Sequence, residues 1–318
     1  MDLIYTNAKR VDQGVITAYA FDLSYGAEEN DYEITVDADD ATLESGAMIY
    51  IEGTEYGGTV DGLKASTNGT TVTYTGRTWH GMINSKIIQP DSGANYYVVS
   101  GEANSVLSSL IARLGLSALF TAAETDSGVS ISRYQFNRFC KGYDGIRAML
   151  AANGAKLKIK WEDRAVILSA EPIVDYTEYP VDGDIATLTV EQHQKKVNHL
   201  ICLGKGDLAE REVIHLYADQ FGRIGKVQYY TGLDEICETY DNSNSDDLEK
   251  DGIEKLAELL NIDKAEIALP EAEGLSYDIG DIVGAQELKT GISVAAFVSQ
   301  KIVKINNGAV STEYKTGG

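Results

Sequence analysis

Positive charge is in short supply. Against 49 Asp and Glu, the 318-residue chain carries 27 Lys and Arg, a formal net charge of -22. Gripping a nucleic-acid backbone needs clustered Lys and Arg, so no specific nucleic-acid binding is expected. An acidic surface suits solubility, or a wall along which DNA slides without sticking. Proline, at four residues, rarely interrupts the chain. Cys140, Cys202 and Cys237 are odd in number and widely spaced, which excludes a disulfide framework and a zinc finger. They read as reduced core thiols of a protein made in a cytoplasm. No apolar run approaches the ~18 residues of a membrane span. The opening MDLIYTNAKRVDQG also lacks the basic-then-apolar layout of a signal peptide. The length permits two or three domains whose cores need neither disulfide nor metal.

Motifs that carry chemistry are missing as well. GKGDLA, from Gly204 to Ala209, fits the loose dinucleotide pattern, but the β-branched and aromatic residues of EREVIHLYA follow where a helix would have to receive the pyrophosphate. A hairpin is expected there. DNSNSDD, from Asp241, starts like a calcium loop. It fails at the sixth position, Asp246 in place of Gly, and at the twelfth, Gly252 in place of Glu. The four histidines are His80, His193, His199 and His215; His193 and His199 could share a strand face, without a third ligand at obvious spacing. No HExxH and no G-x-S-x-G elbow occurs. The expected sets of catalytic, cofactor-binding and metal-binding residues are therefore empty, and no enzyme is expected.

What is present is a β-rich pattern with an internal echo. SGAMIYI, then Asn68-Gly69, then TTVTYTG near residue 46 is answered by IGDIVGA, Asn307-Gly308 and AVSTEYKTG at the far end. Asn-Gly is the strongest short hairpin signal, since both residues tolerate the positive φ of a type I′ turn. Tyr32, Ile34 and Val36 alternate with Asp31, Glu33, Thr35 and Asp37, as in a half-buried strand. Further strands are expected at 47–52, 56–63, 70–76 and 79–88, with Pro90 closing the meander. Val106, Leu107, Leu110, Ile111 and Leu114 recur at helical spacing before Gly115, and a second helix is expected from Tyr143 to Asn153 with Gly154 as its stop. Lys156, Lys158 and Lys160 then alternate with Leu157, Ile159 and Trp161, and are expected to form the solvated side of a hairpin. A second β-rich region starts near Tyr176, with strands at 185–190, 197–203, 211–218 and 226–230. It is broken by a helix built on Leu248, Ile253, Leu256, Leu259 and Leu260 with Ser245 as its cap. Nineteen Tyr against six Phe also suits surfaces buried on assembly.

FDLSYGAEENDYEITV, TYTGRTWHGMINSKIIQP, VNHLICLGKG with REVIHLYADQFGRIG, and YDIGDIVGAQELKTGI together resemble the landmarks of phage tail hub (baseplate hub) proteins, those of prophages and phage-derived contractile particles included. Gly76, Arg77 and Trp79 match one landmark, and Arg211, Asp219 and Gly222 another; both sets are read as packing and turn residues. The resemblance implies an α+β, mainly β fold, with two tail-tube-like β-barrel domains, a small α+β domain between them and a helical excursion in the C-terminal half. The corresponding boundaries are 1–92, 93–175 and 176–318, with the helical insertion near 245–261. Gly46 to Gly76 and Gly280 to Gly317 would belong to the two barrels. The implied role is structural: a homotrimer in the virion tail that adapts the hexameric tail tube to a trimeric spike or tip and lines the channel. Its partners would be the tube or distal tail protein, the spike or tip, and the tape-measure protein, with no membrane contact. The competing classes are a carbohydrate-binding or adhesion module using Trp79 and Trp161, and a cell-wall hydrolase.

Overall fold

The computed structural model describes residues 1–39, 43–66, 69–178, 187–191, 195–220, 222–260, 264–270, 276–286, 293–306 and 308–317. The chain divides into two compact units. One comprises Met1–Leu188 and Glu266–Gly317, the other Thr189–Ala265.

The first unit opens with β1 (Leu3–Thr6), β2 (Asp12–Ile16), β3 (Tyr19–Gly26), β4 (Asp31–Asp37), β5 (Met48–Tyr50), β6 (Gly57–Ala65) and β7 (Thr71–Thr78). Alternation governs these strands: in β4, Tyr32, Ile34 and Val36 are buried while Asp31, Glu33 and Asp37 face water. The strand expected over 79–88 is instead helix α1 (Trp79–Asn84) followed by the two-residue strand β8 (Ile87–Ile88). The Thr78 hydroxyl accepts the Gly81 amide at 3.3 Å and starts the helix. A strand would have sent Trp79 and His80 to opposite faces, whereas the helical turn buries both.

Next come β9 (Val98–Glu102), α2 (Ala103–Arg113), β10 (Phe120–Ala122), β11 (Ser130–Gln135), β12 (Cys140–Lys141), α3 (Gly142–Ala151), β13 (Ala155–Glu162) and β14 (Ala165–Pro172). Both helices end as expected, on Gly115 and Gly154 with φ of +70°. The cap of α2 is Glu102, whose carboxylate accepts the Asn104 and Ser105 amides at 2.9 and 2.7 Å. Strands β10, β14 and β13 form one small sheet, and β9/β11 and β8/β12 form two ribbons. The core under them is continuous with that of the first strands. Trp161 stacks on Tyr50 at 4.2 Å and on Trp79 at 5.4 Å, among Val106, Leu107, Leu110 and Met149. The two indoles thus meet in one core.

After β15 (Thr187–Glu191), the second unit contains β16 (His199–Leu203), β17 (Val213–Ala218), β18 (Ile224–Gly225), β19 (Cys237–Asp241) and α4 (Leu248–Leu260). Its sheet order is β18-β17-β16-β19, with β19 parallel to β16. Leu248 and Leu256 of α4 pack on Leu200, Cys202 and Leu216. Asp247, not Ser245, caps α4: its carboxylate accepts the Lys250 amide at 3.1 Å, while Ser245 donates to Asp251 at 2.5 Å. The strand expected at 226–230 is only the short β18, two residues earlier. Cys202 is buried and Cys237 exposed, so the core-thiol expectation fails for Cys237.

The chain closes with β20 (Lys264–Pro270), β21 (Ile282–Gln286), β22 (Ser293–Asn306) and β23 (Ala309–Thr316). A 12-stranded sheet runs β15-β20-β23-β22-β3-β4-β7-β6-β5-β1-β2, with β21 on β22. The echo therefore returns as two hairpins, β6/β7 and β22/β23, placed on either side of the central pair β3/β4. They share one open sheet; among the described residues no sheet closes into a barrel. In the second hairpin Asn306 pairs with Ala309, and Gly308 has the expected left-handed φ, +87°. The first hairpin differs in that Gly69 is not left-handed. Its last pair is Ala65 with Val72, and the Gly69 amide closes a longer connection onto the Ser66 carbonyl at 3.0 Å. Asn68, Asn307, Ile185 and His193 lie outside the described residues.

Candidate assembly surface

The wet face of the long sheet is built by the outward positions of its central strands. Lys304 of β22, Asp22 of β3, Glu33 of β4 and Thr75 of β7 form one cross-strand row. Ser24, Asp31 and Arg77 form the next. Asp22 directly opposite Glu33 is a like-charge pair, unfavourable in an isolated sheet. Lys304 relieves part of it from 3.5 Å. Asp31 is raised above its ordinary value, first by burial and then by Glu29. Arg77 grips Asp61 side-on at 2.7 and 2.8 Å, and this hydrogen-bonded pair holds Asp61 below the ordinary value. A shallow depression lined by Asp22, Glu29, Asp31, Glu33, Asp61 and Arg77 lies here.

Behind this face a buried ionic group fastens the two hairpins together. Lys301 of β22 donates to Glu55, in the loop before β6, at 2.7 Å. The Lys301 side chain is only 4 % exposed. Burial opposes both charges, but each partner outweighs it: Glu55 is held below and Lys301 above its ordinary value. His80 lies 4.0 Å from Glu55 and stacks on Tyr25 at 4.3 Å. Burial pushes its pKa down to about 4, against the pull of Glu55, so the ring is neutral.

The lysine row departs from the solvated face expected for it. Lys156 is buried and donates to Asp278 at 2.9 Å and to both oxygens of Asp281 at 2.8 and 2.9 Å. Lys158 joins Asp278 at 2.8 Å. Asp281 also accepts the amides of Val174 and Asp278, each at 2.9 Å. Burial disfavours the Asp278 and Lys156 charges, yet their contacts hold Asp278 down and Lys156 up. Only Lys160 meets the expectation, paired with Glu162 at the surface. No carboxylate near residue 280 could be assigned to a lysine near residue 156 without knowing the fold.

The tempting motifs resolve into structure. Residues 204–212 form the β16/β17 connection, closed by Gly204 to Glu212 and Glu212 to Lys205 backbone bonds of 2.9 and 2.8 Å. Arg211 holds the Gly204 carbonyl at 3.1 Å and Asp241. Asp219 accepts the amide and Nε of Arg223 at 3.0 and 2.7 Å, and Gly222 completes that turn with φ of +74°. His199 contacts Glu235 at 2.6 Å and His215 at 2.8 Å. Among the described residues no group of three or more His, Cys, Asp or Glu could hold a metal ion. Among the described residues no helix is long and apolar enough to cross a membrane.

Comparison with known structures decides what this architecture is. The chain aligns over its full length with 98 % of the 43 kDa tail protein of prophage MuSo2 from Shewanella oneidensis, at a TM-score of 0.58 and 12 % identity. The fold is that of phage tail proteins. Prophage tail protein gp18 from Listeria monocytogenes EGD-e matches this tail-protein fold at a TM-score of 0.55 and 13 % identity, over 99 % of this chain and 94 % of its own. A chain of the phage P2 baseplate in its activated conformation matches at 0.51 and 11 % identity, over 100 % and 99 %. No protein-family model and no curated protein sequence matches the chain. Identities this low carry the tail-protein fold and leave residue roles to the geometry.

Proposed function

We propose that the chain is a structural hub of a phage-type tail, a homotrimer joining the hexameric tube to a trimeric spike or tip. The observation that carries this reading is the position of the two echoed hairpins, flanking β3/β4 in one sheet of a chain whose whole length has the tail-protein fold. Three copies would offer six hairpins of similar build to a six-fold ring and three-fold surfaces to the tip. Each hairpin, with neighbouring strands from an adjacent copy, would complete one tube-like barrel, and the division into 1–92, 93–175 and 176–318 would separate barrel-forming parts from the α+β part. The acidic rows around Asp22, Glu33 and Asp31 would face the channel, where they repel DNA phosphates. The tape-measure protein and the tube or distal tail protein are the remaining partners, and the site of action is the virion tail.

The competing sugar-binding reading loses its platform, because Trp79 and Trp161 are 0 % and 2 % exposed. The role is structural rather than catalytic, so turnover of cell-wall fragments by the purified chain would contradict it. The direct test is sedimentation combined with electron microscopy of the chain mixed with tube protein. The expected outcome is three copies capping one six-membered ring. Capping by two or six copies, or no binding to tube, would overturn the proposal.

A further inference from the structure

Among the exposed large hydrophobic residues described, Phe139 and Leu208 alone have a left-handed backbone, and their surroundings have opposite sign. The first lies at the β8/β12 ribbon. Cys140 pairs with Ile88 and Lys141 with Ile87, so the ribbon turns Ile88 inward and Ile87, Phe139 and Lys141 outward. Phe139 is 57 % exposed although its backbone is left-handed, with φ of +56°. A bulky side chain in that region is strained. Arg138 lies over the Phe139 ring, 5.4 Å from its centre. Residues 84–90 and 127–144 contain Lys86, Arg133, Arg138 and Lys141 against one carboxylate, Asp144, which bears on Cys140, so the surroundings are net basic in a chain of net charge -22.

The second point is the loop between β16 and β17. Leu208 is 96 % exposed and also left-handed, with φ of +49°. The two cations of that loop are engaged, Lys205 with Asp246 at 3.1 Å and Arg211 with Asp241. Asp207, Glu210 and Glu212 therefore set its sign. Both points hold a strained, solvent-facing hydrophobe flanked by charged residues, a combination suited to a contact that is desolvated on assembly. The flanking charges are complementary, net basic in one and acidic in the other.

We infer that the Leu208 loop of one copy docks on the Phe139 ribbon of a second copy. Such a contact is head-to-tail and closes into a ring when the rotation between copies allows it. It rests on the homotrimer proposed above, and it names the surfaces that hold neighbouring subunits.

Charge reversal tests it, read by sedimentation equilibrium of the full chain at about 50 mM and about 500 mM salt. Self-association of the unaltered chain should weaken with salt. Arg138→Glu with Lys141→Glu, or Asp207→Lys with Glu210→Lys, should each weaken it by roughly tenfold or more. The fourfold swapped chain should recover it. Phe139→Gly and Leu208→Gly relieve backbone strain, so each should associate less while melting no lower than the parent. If the parent associates and the reversals change nothing, the contact is wrong while the trimer stands. If the reversed chains weaken but the swapped chain fails to recover, the pairing of these two surfaces is wrong. A parent that stays monomeric at every concentration and salt overturns the contact together with the isolated trimer.

Discussion

Replacing Lys156 by Met should be the most damaging single change in the lysine row. The Lys156 side chain is 4 % exposed and its ammonium touches three carboxylate oxygens within 2.9 Å. With Lys158, Asp278 and Asp281 it forms a quartet of zero net charge. Met fills the stem's volume but leaves Asp281, itself 1 % exposed, without a cation. Removing one member of a buried pair costs about 3–5 kcal/mol, because the survivor stays desolvated. For a unit of this size that corresponds to a fall in Tm of roughly 6–20 °C. Lys158, at 39 % exposure, makes similar contacts to Asp278 from a wetter position, so Lys158→Met should cost under about 1 kcal/mol. Asp281→Asn should fall between the two, at about 2–3 kcal/mol, since the amide oxygen still accepts one backbone N–H. Tryptophan fluorescence is the natural assay, because Trp79 and Trp161 both lie in the first unit and report its melting alone. Equal losses from Lys156→Met and Lys158→Met, or a shift below about 2 °C for the former, would refute the argument that burial decides the outcome.

His80 gives the fold an acid limit. Its folded pKa of about 4 lies below the ordinary histidine value, so the unfolded chain takes up that proton first. The stability tied to the neutral ring is whole above about pH 6.5 and declines as the pH falls towards 4, by up to about 3 kcal/mol. His80→Phe keeps an aromatic ring against Tyr25, and urea melts across that window should show a flatter slope than the parent. Gly76→Ala should destabilise by about 3 kcal/mol in a urea melt, because a Cβ there would meet the Thr59 carbonyl oxygen at 1.9 Å. Gly69→Ala, whose Cβ has no neighbour closer than 3.4 Å, should be close to neutral.

Local signals carried well where neighbours in sequence do the work. The alternation of Tyr32, Ile34 and Val36, the helical spacing of Val106 to Ile111, and the stops at Gly115 and Gly154 all translate into elements. The Asn-Gly echo located both hairpins, although of its two glycines only Gly308 is left-handed; the described pairing of the first hairpin ends at Ala65 with Val72. Legibility failed where a distant partner decides. Lys156 looked like one of three solvated lysines because the carboxylates that bury it lie more than 120 residues away. Trp79 was read as part of a strand because the hydroxyl of Thr78 that starts α1 is an ordinary strand residue until it meets the Gly81 amide. Glu102 is not among the residue types that signal a cap, and Ser127, which also holds it, lies 25 residues away. The candidate surface was invisible for the same reason: its rows join strands from both ends of the chain.

The placement of β22 beside β3 has a consequence for the order of events during synthesis. Ser24 waits for Gln300, 276 residues later, before its strand has a neighbour on that side. At about 5–20 residues per second the ribosome needs roughly 15–55 seconds to deliver that partner. During this interval β3 is an open edge, a site for mispairing. Completing the sheet is thus a late, long-range closure, and the two hairpins can flank β3/β4 only after β22 and β23 have emerged.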